Sequence, residues 1–313
     1  MIRRKLAPAI SAALQNYDES VNERRTASRR TEQWFEIPAS YVSNEGTVLI
    51  KAPAGTNVLK LAESFRDGVY PKPFVVDDGL QRRLHFDLRY VQSAINLKDP
   101  DQLVFAYTQA MMAFLLFQTN PKHVVVVGLG GGSLTKFCYQ RLPRAHITTI
   151  EIDADVIALS ELFQMPAPSA RMPILHADAV DYFERTEDMA DVVLVDGCDK
   201  LGIAPAFCEP AFYRKLHARL QPGGMLVVNL IGDEERSLEI QRIVDQTFGG
   251  HCMSLAVKGG NRVLFAFNDS AAKPDWAALK GRAERLEDET GLEYRSYLRR
   301  LKRSFKRGTV DYG

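Results

Sequence analysis

Cysteine is scarce in this 313-residue chain: Cys138, Cys198, Cys208 and Cys252 are the four present, and no two form a Cys-x-x-Cys pair. That spacing excludes a zinc ribbon and a dithiol redox motif, and it fits the reduced, packed thiols of a cytosolic protein. No metal is expected. Long apolar runs are lacking as well. The longest, Ala110 to Phe117, falls well short of the roughly 18 residues a membrane span needs. The N-terminus, Met1-Ile2-Arg3-Arg4-Lys5, is basic, but no apolar run of secretory-signal length follows it. Net charge is nearly absent too. At +1, no overall field favours nucleic acid. The expectation is a soluble cytoplasmic protein without a membrane partner or a nucleic-acid role. What is present is an ordinary globular balance, 46% apolar and 25% charged, enough for a core in one large domain or two unequal ones.

Residues 1–33 are polar and arginine-rich (Arg24-Arg25, Arg29-Arg30) and read as a flexible basic arm. Residues 34–86 carry short β-branched or aromatic runs, Thr47 to Ile50 and Phe74 to Val76. Turn chemistry separates them at Asn44-Glu45-Gly46, Pro53-Ala54-Gly55 and Asp77-Asp78-Gly79. A small antiparallel N-terminal β domain is expected there. Leu103 to Thr119 reads as a helix with an apolar face, ended by Pro121. Residues 271–313 are charged and helical in pattern, and read as a tail with solvated faces.

From His123 the pattern alternates strand and helix, within a domain expected over residues 87–270. Val124 to Val127, Ile147 to Ile152, Ile174 to Ala177, Asp191 to Val195 and Met225 to Leu230 are near-continuous apolar runs. Such runs fit parallel strands buried on both faces. Cys252 to Val257 and Arg262 to Phe267 suggest a closing antiparallel pair. The fold class is therefore α/β, Rossmann-like, with a mostly parallel seven-stranded sheet. Ligands of such sheets bind outside the carboxyl ends of the strands. There the sequence puts a glycine turn (Gly128, Gly130, Gly132) and a series of acids: Glu151, Asp153, Asp178, Asp196 and Asp199. Glycine lets a ligand approach the backbone closely, and an acid ending the second strand is spaced to take ribose hydroxyls. A NAD-binding domain would share that much, but would want Gly or Ala where Ser133 stands. Acids ending strands three and four, with a Pro-Gly-Gly turn before strand five, are typical of the S-adenosylmethionine-dependent methyltransferase fold.

Four segments narrow this further: Val127 to Leu134, Ile150-Glu151-Ile152-Asp153, Ala177-Asp178-Ala179 and Val195-Asp196-Gly197-Cys198-Asp199. Together they resemble spermidine synthase and its polyamine aminopropyltransferase relatives over roughly Asp87 to Phe267. The resemblance implies an aminopropyl group moved from decarboxylated S-adenosylmethionine to a small amine, in a homodimer. It implies that Glu151 holds the ribose hydroxyls and that Asp178, with Ala179 beside it, meets the adenine amino group. Gln92 would touch the donor near its sulfonium. Asp196 would be the general base, and Asp199 and Tyr107 would contact the acceptor.

The departures are specific. Gly131 stands where the family usually carries an Asp that holds the donor's amine. Tyr107-Thr108-Gln109 lacks the His and Glu of the family's Tyr-His-Glu segment, and Lys200 replaces a Pro. These keep two other readings open: methyl transfer from S-adenosylmethionine itself, and a catalytically silent nucleoside-binding relative.

Overall fold

A computed structural model describes residues 32–42, 45–199, 202–268 and 274–306. The arginines of the N-terminal arm and Arg307 lie outside the described residues.

Alternation makes the first sheet. Strand β2 (Thr47–Pro53) buries Val48, Ile50 and Ala52 and leaves the residues between them partly exposed, the period-two pattern of a half-buried strand. It pairs with β1 (Glu32–Pro38) and β3 (Phe74–Asp77). Strands β4 (Gln81–His85) and β5 (Val91–Asn96) complete a five-stranded antiparallel sheet in sequence order. The last strand lies beyond residue 86, so the sheet takes in Gln92, expected in the following domain. Helix α1 (Val58–Arg66) was not expected between β2 and β3. Asn57 caps it by accepting from Leu59 N at 3.0 Å and Lys60 N at 3.2 Å, and Ala62 and Phe65 bury its inner face. An Asn cap followed by apolar residues at helical spacing is the signal for it.

The second sheet has seven strands in the order β13-β14-β12-β9-β6-β7-β8. Strands β6 (His123–Val127), β7 (His146–Glu151), β8 (Ile174–His176), β9 (Ala190–Val195) and β12 (Leu220–Leu230) run parallel. Strands β13 (Cys252–Ala256) and β14 (Arg262–Phe267) form the expected antiparallel hairpin, and β14 pairs antiparallel with β12. A short hairpin, β10 (Cys198–Asp199) with β11 (Gly202–Ile203), follows β9. The valines explain the double layering. Val124 and Val126 join one apolar cluster while Val125 and Val127 join the other. Helices therefore cover both faces: α3 (Ser133–Arg141) on the first, α6 (Pro210–Ala218) and α7 (Glu234–Thr247) on the second. Cys138 and Cys252 are buried free thiols.

Two expectations are corrected. The helix expected over Leu103 to Thr119 is a short α2 (Ala106–Met111) passing into a tighter turn at Met112–Leu116. Every residue of that turn is buried, so packing, and not a single apolar stripe, shapes it. The charged tail is not solvated on all sides. Its helices α8 (Trp276–Thr290) and α9 (Tyr294–Lys306) close the sheet face over β13 and β14. Tyr294, Tyr297, Leu298 and Leu301 bury a stripe at positions i, i+3, i+4 and i+7, while Arg295, Arg299 and Arg303 stay exposed. The arginines dominate the composition, but the stripe decides the packing. No helix among the described residues is long and apolar enough to cross a membrane.

Leu301 is fully buried in that stripe. Leu301→Ala is expected to cost about 2–5 kcal/mol of stability in urea melts. A loss within about 0.5 kcal/mol, the range of ordinary surface changes, would mean that α9 is solvated after all.

Candidate active site

Three strand ends come level at one edge of the parallel sheet. Asp196 N donates to Val127 O at 2.9 Å, and Gly128 N donates to Ile150 O at 2.8 Å. Gly128 has a φ of 93°, and a Cβ there would stand 2.3 Å from the Asp196 carbonyl oxygen. Glycine alone permits that approach. It brings the glycine turn after β6, the acid ending β7 and the acid following β9 around one cavity.

The cavity has a volume of about 180 Å³, whereas a single water needs roughly 10–15 Å³. Gln92, Tyr107, Glu151, Asp178, Ala179 and Asp196 all line it, together with Gly128 and Gly130. Gln92 arrives from the small sheet, Tyr107 from α2 and the acids from the strand ends. Two expected residues are placed elsewhere. Asp153 is the N-cap of helix α4 (Ala154–Leu159) and accepts from Asp155 N at 2.8 Å. Gly132 is the N-cap of α3 and does not line the cavity, and the Met165 side chain stands where its Cβ would be. The Asp199 backbone lies on β10, but its side chain is outside the described part of the structure.

Glu151 is 8% exposed. Its Oε2 accepts from Leu129 N at 2.9 Å and its Oε1 from Asp153 N at 2.8 Å. Burial raises its carboxyl above the usual range, and the backbone donors pull the other way. Asp178 caps helix α5 (Ala179–Arg185), where its Oδ1 accepts from Val180 N at 2.7 Å.

Asp196 is the most strongly perturbed of these acids. Burial pushes its carboxyl up to about 6, against two hydrogen bonds that lower it. Asn229 Nδ2 donates to Oδ1 at 2.8 Å, and Tyr107 OH donates to Oδ2 at 3.2 Å. Asn229 in turn accepts, on its Oδ1, from Asn261 Nδ2 at 2.9 Å. Neither asparagine was expected from the sequence. The signal for Asn229 was there: it is the one polar residue in Met225 to Leu230. Asn261 gave no comparable signal, because it follows Gly259-Gly260 in what reads as a turn. Among the described residues, no cluster of three or more His, Cys, Asp or Glu is placed to hold a metal ion.

A partly buried acid of raised proton affinity lining a cavity of about 180 Å³ is an arrangement suited to proton transfer. Residues 104–255 match the spermine/spermidine synthase domain. The polyamine aminopropyltransferase of Chromobacterium violaceum is 36% identical over 75% of this chain and 90% of its own length. That of Neisseria meningitidis serogroup A is 34% identical, again over 75% of this chain and 90% of its own length. Among solved structures, human methyltransferase-like protein 13 in complex with SAH aligns with a TM-score of 0.52 and 25% identity. That alignment covers 62% of this chain and 93% of the human one. Matched in motif, in fold and along most of its length, the chain belongs to the spermine/spermidine synthase family, among the polyamine aminopropyltransferases.

Proposed function

We propose that the chain transfers an aminopropyl group from decarboxylated S-adenosylmethionine to a small amine. One observation carries the reading. The Asp196 carboxylate is gripped by Tyr107 and Asn229 in a cavity that it shares with Glu151 and Asp178, in a chain of this family. Glu151 would take the ribose hydroxyls. Asp178 uses one oxygen to cap α5, which leaves the other for the adenine amino group beside Ala179. Gln92 would lie near the sulfonium, and the turn at Gly128 and Gly130 would admit the donor close to the backbone.

A protonated amine is no nucleophile, so a base must take a proton as the nitrogen attacks. The nitrogen bonds to the donor carbon next to the sulfonium, the carbon–sulfur bond breaks, and methylthioadenosine leaves. The displaced proton passes to Asp196. With its carboxyl near about 6, Asp196 is ionised at neutral pH and still more basic than an ordinary carboxylate. Tyr107 and Asp199 would hold the acceptor. A cytoplasmic homodimer accompanies this reading, and light scattering on the purified protein tests the assembly.

One observation favours methyl transfer as the second reading. A Cβ at Gly131 would stand 2.7 Å from both Phe163 Cδ1 and Ser93 Oγ. The family's Asp is therefore excluded here unless those side chains move. A donor that keeps its carboxylate would meet no acid at that point. Calorimetry with both donors decides: tighter binding of decarboxylated S-adenosylmethionine supports aminopropyl transfer. Tighter binding of S-adenosylmethionine, with S-adenosylhomocysteine formed in turnover, replaces it by methyl transfer.

Glu151→Gln is expected to weaken methylthioadenosine binding by about 1–3 kcal/mol, since an uncharged acceptor replaces a carboxylate. Unchanged affinity in calorimetry, with the fold intact, would remove Glu151 from the donor site. Asp196→Asn should keep the fold and donor binding while lowering kcat by about 10²- to 10⁴-fold. In the wild type the acid limb of kcat/KM should fall near pH 6, where Asp196 takes up its proton. Full turnover by Asp196→Asn would refute the base assignment. If methylthioadenosine binds but no amine is turned over with either donor, the chain is a silent relative.

A further inference from the structure

Among the described residues, the titratable side chains lining the cavity with Asp196 are Tyr107 from α2, Glu151 from β7 and Asp178 after β8, with no lysine, arginine or histidine; Lys200 lies outside the described residues. None of these described residues offers the Asp196 carboxylate a cation. Its named partners are the neutral donors Tyr107 OH and Asn229 Nδ2. An amide side chain has a donor end and an acceptor end, and its orientation follows from its partners. Here Asn261 Nδ2 occupies the Asn229 Oδ1 at 2.9 Å, which turns the Asn229 NH₂ toward Asp196. Both asparagines are buried, at 4% and 8% exposure, so an idle amide end would carry a desolvation penalty.

From this chain of contacts we infer that Asn229 and Asn261 are positioning residues: Asn261 locks the Asn229 amide with its N–H toward Asp196, which keeps that acid in its proton-accepting, ionised form. The inference rests on Asp196 being the base. The logic is one of matched partners. A locked N–H satisfies a carboxylate and gives nothing to a carboxylic O–H. Once unlocked, the Asn229 amide can reverse and accept from a protonated Asp196. Losing Asn261 therefore favours the protonated acid and raises its proton affinity.

The test compares wild type, Asn261→Leu and Asn229→Leu, each with and without Asp196→Asn. Melting temperature is followed against pH. The difference between each parent and its Asp196→Asn partner reports the Asp196 titration without any need for turnover. In the wild type that difference should grow as pH rises from about 4, the unfolded value, and level off near about 6. In both leucine variants the plateau should move up by about one pH unit, a roughly tenfold gain in proton affinity for a lost hydrogen bond to a charged group. The acid limb of kcat/KM should move with it, activity should return at higher pH, and the KM for the donor should stay put. A merely structural Asn261 would lower the melting temperature equally at all pH values and leave the titration in place, and that result overturns the inference. Should Asn261→Leu fail to fold, Asn261→Ala decides by the same titration. The two readings fail separately. Full turnover by Asp196→Asn removes the base role, whereas an unmoved titration removes the lock.

Discussion

The approach of the Gly128 backbone to the Asp196 carbonyl is the contact on which the site depends. A Cβ at residue 128 would stand 2.3 Å from that oxygen, so any other residue there would push β6 and β9 apart at their ends. Those strands are in register, Val124 with Val192 through Val127 with Val195. They are held along their length by valines buried on both faces. Parallel strands end on the same edge of a sheet. The glycine turn, Glu151 and Asp196 therefore meet because of register, and no long polar network is needed to bring them together.

The small sheet supplies the opposite wall, and apolar packing fixes its position. Val75, Leu84 and Ile95 of that sheet form one buried cluster with Leu129 of the glycine turn and with Leu159, Phe163 and Ile174. Ser93 sits 3.5 Å from where a Gly130 Cβ would stand, so Gln92, one residue earlier, is carried to the cavity by its neighbours. Lys136 ties the same layers together: its buried Nζ donates to Pro100 O at 2.7 Å and Phe163 O at 2.8 Å. The exposed pairs Lys51–Glu161 and Lys72–Asp155 also bridge the two units, but pairs of that kind contribute little. The geometry at the Gln92 side of the cavity thus rests on Leu84, Ile95 and Phe163.

Most of the sheet was legible because buried parallel strands leave unbroken apolar runs, and Val124 to Val127 could be little else. The acids at strand ends were legible for the same reason, since each terminates such a run. What the sequence hid were residues whose role depends on a partner far along the chain. Asn261 lies 32 residues from Asn229, and nothing local distinguishes it from a turn residue. Asp153 misled in the opposite direction. It sits beside Glu151 in a motif, yet its side chain faces the next helix as a cap. The tail misled because charge outweighs the stripe of Tyr294, Tyr297, Leu298 and Leu301 in any reading by composition. That stripe has its meaning only against Met253, Leu255 and Phe265.

The desolvation of the partly buried Asp196 carboxyl works against stability. Its carboxyl is raised to about 6 by desolvation, above its unfolded value of about 4. The folded protein therefore binds the proton more tightly than the unfolded chain does. It loses stability as pH rises through that window, and carries the full penalty above about 6. A cation beside Asp196 would relieve the penalty, because an opposite charge favours the ionised form. On the function proposed above, it would also return the acid to an ordinary weak base and repel both a sulfonium donor and an ammonium acceptor. Neutral donors avoid both effects. Tyr107 and Asn229 lower the proton affinity enough for ionisation near neutrality, and no cation among the described residues lines the cavity. For a base that faces two positively charged substrates, as proposed for Asp196, uncharged groups are the partners that can hold it in place without spoiling it.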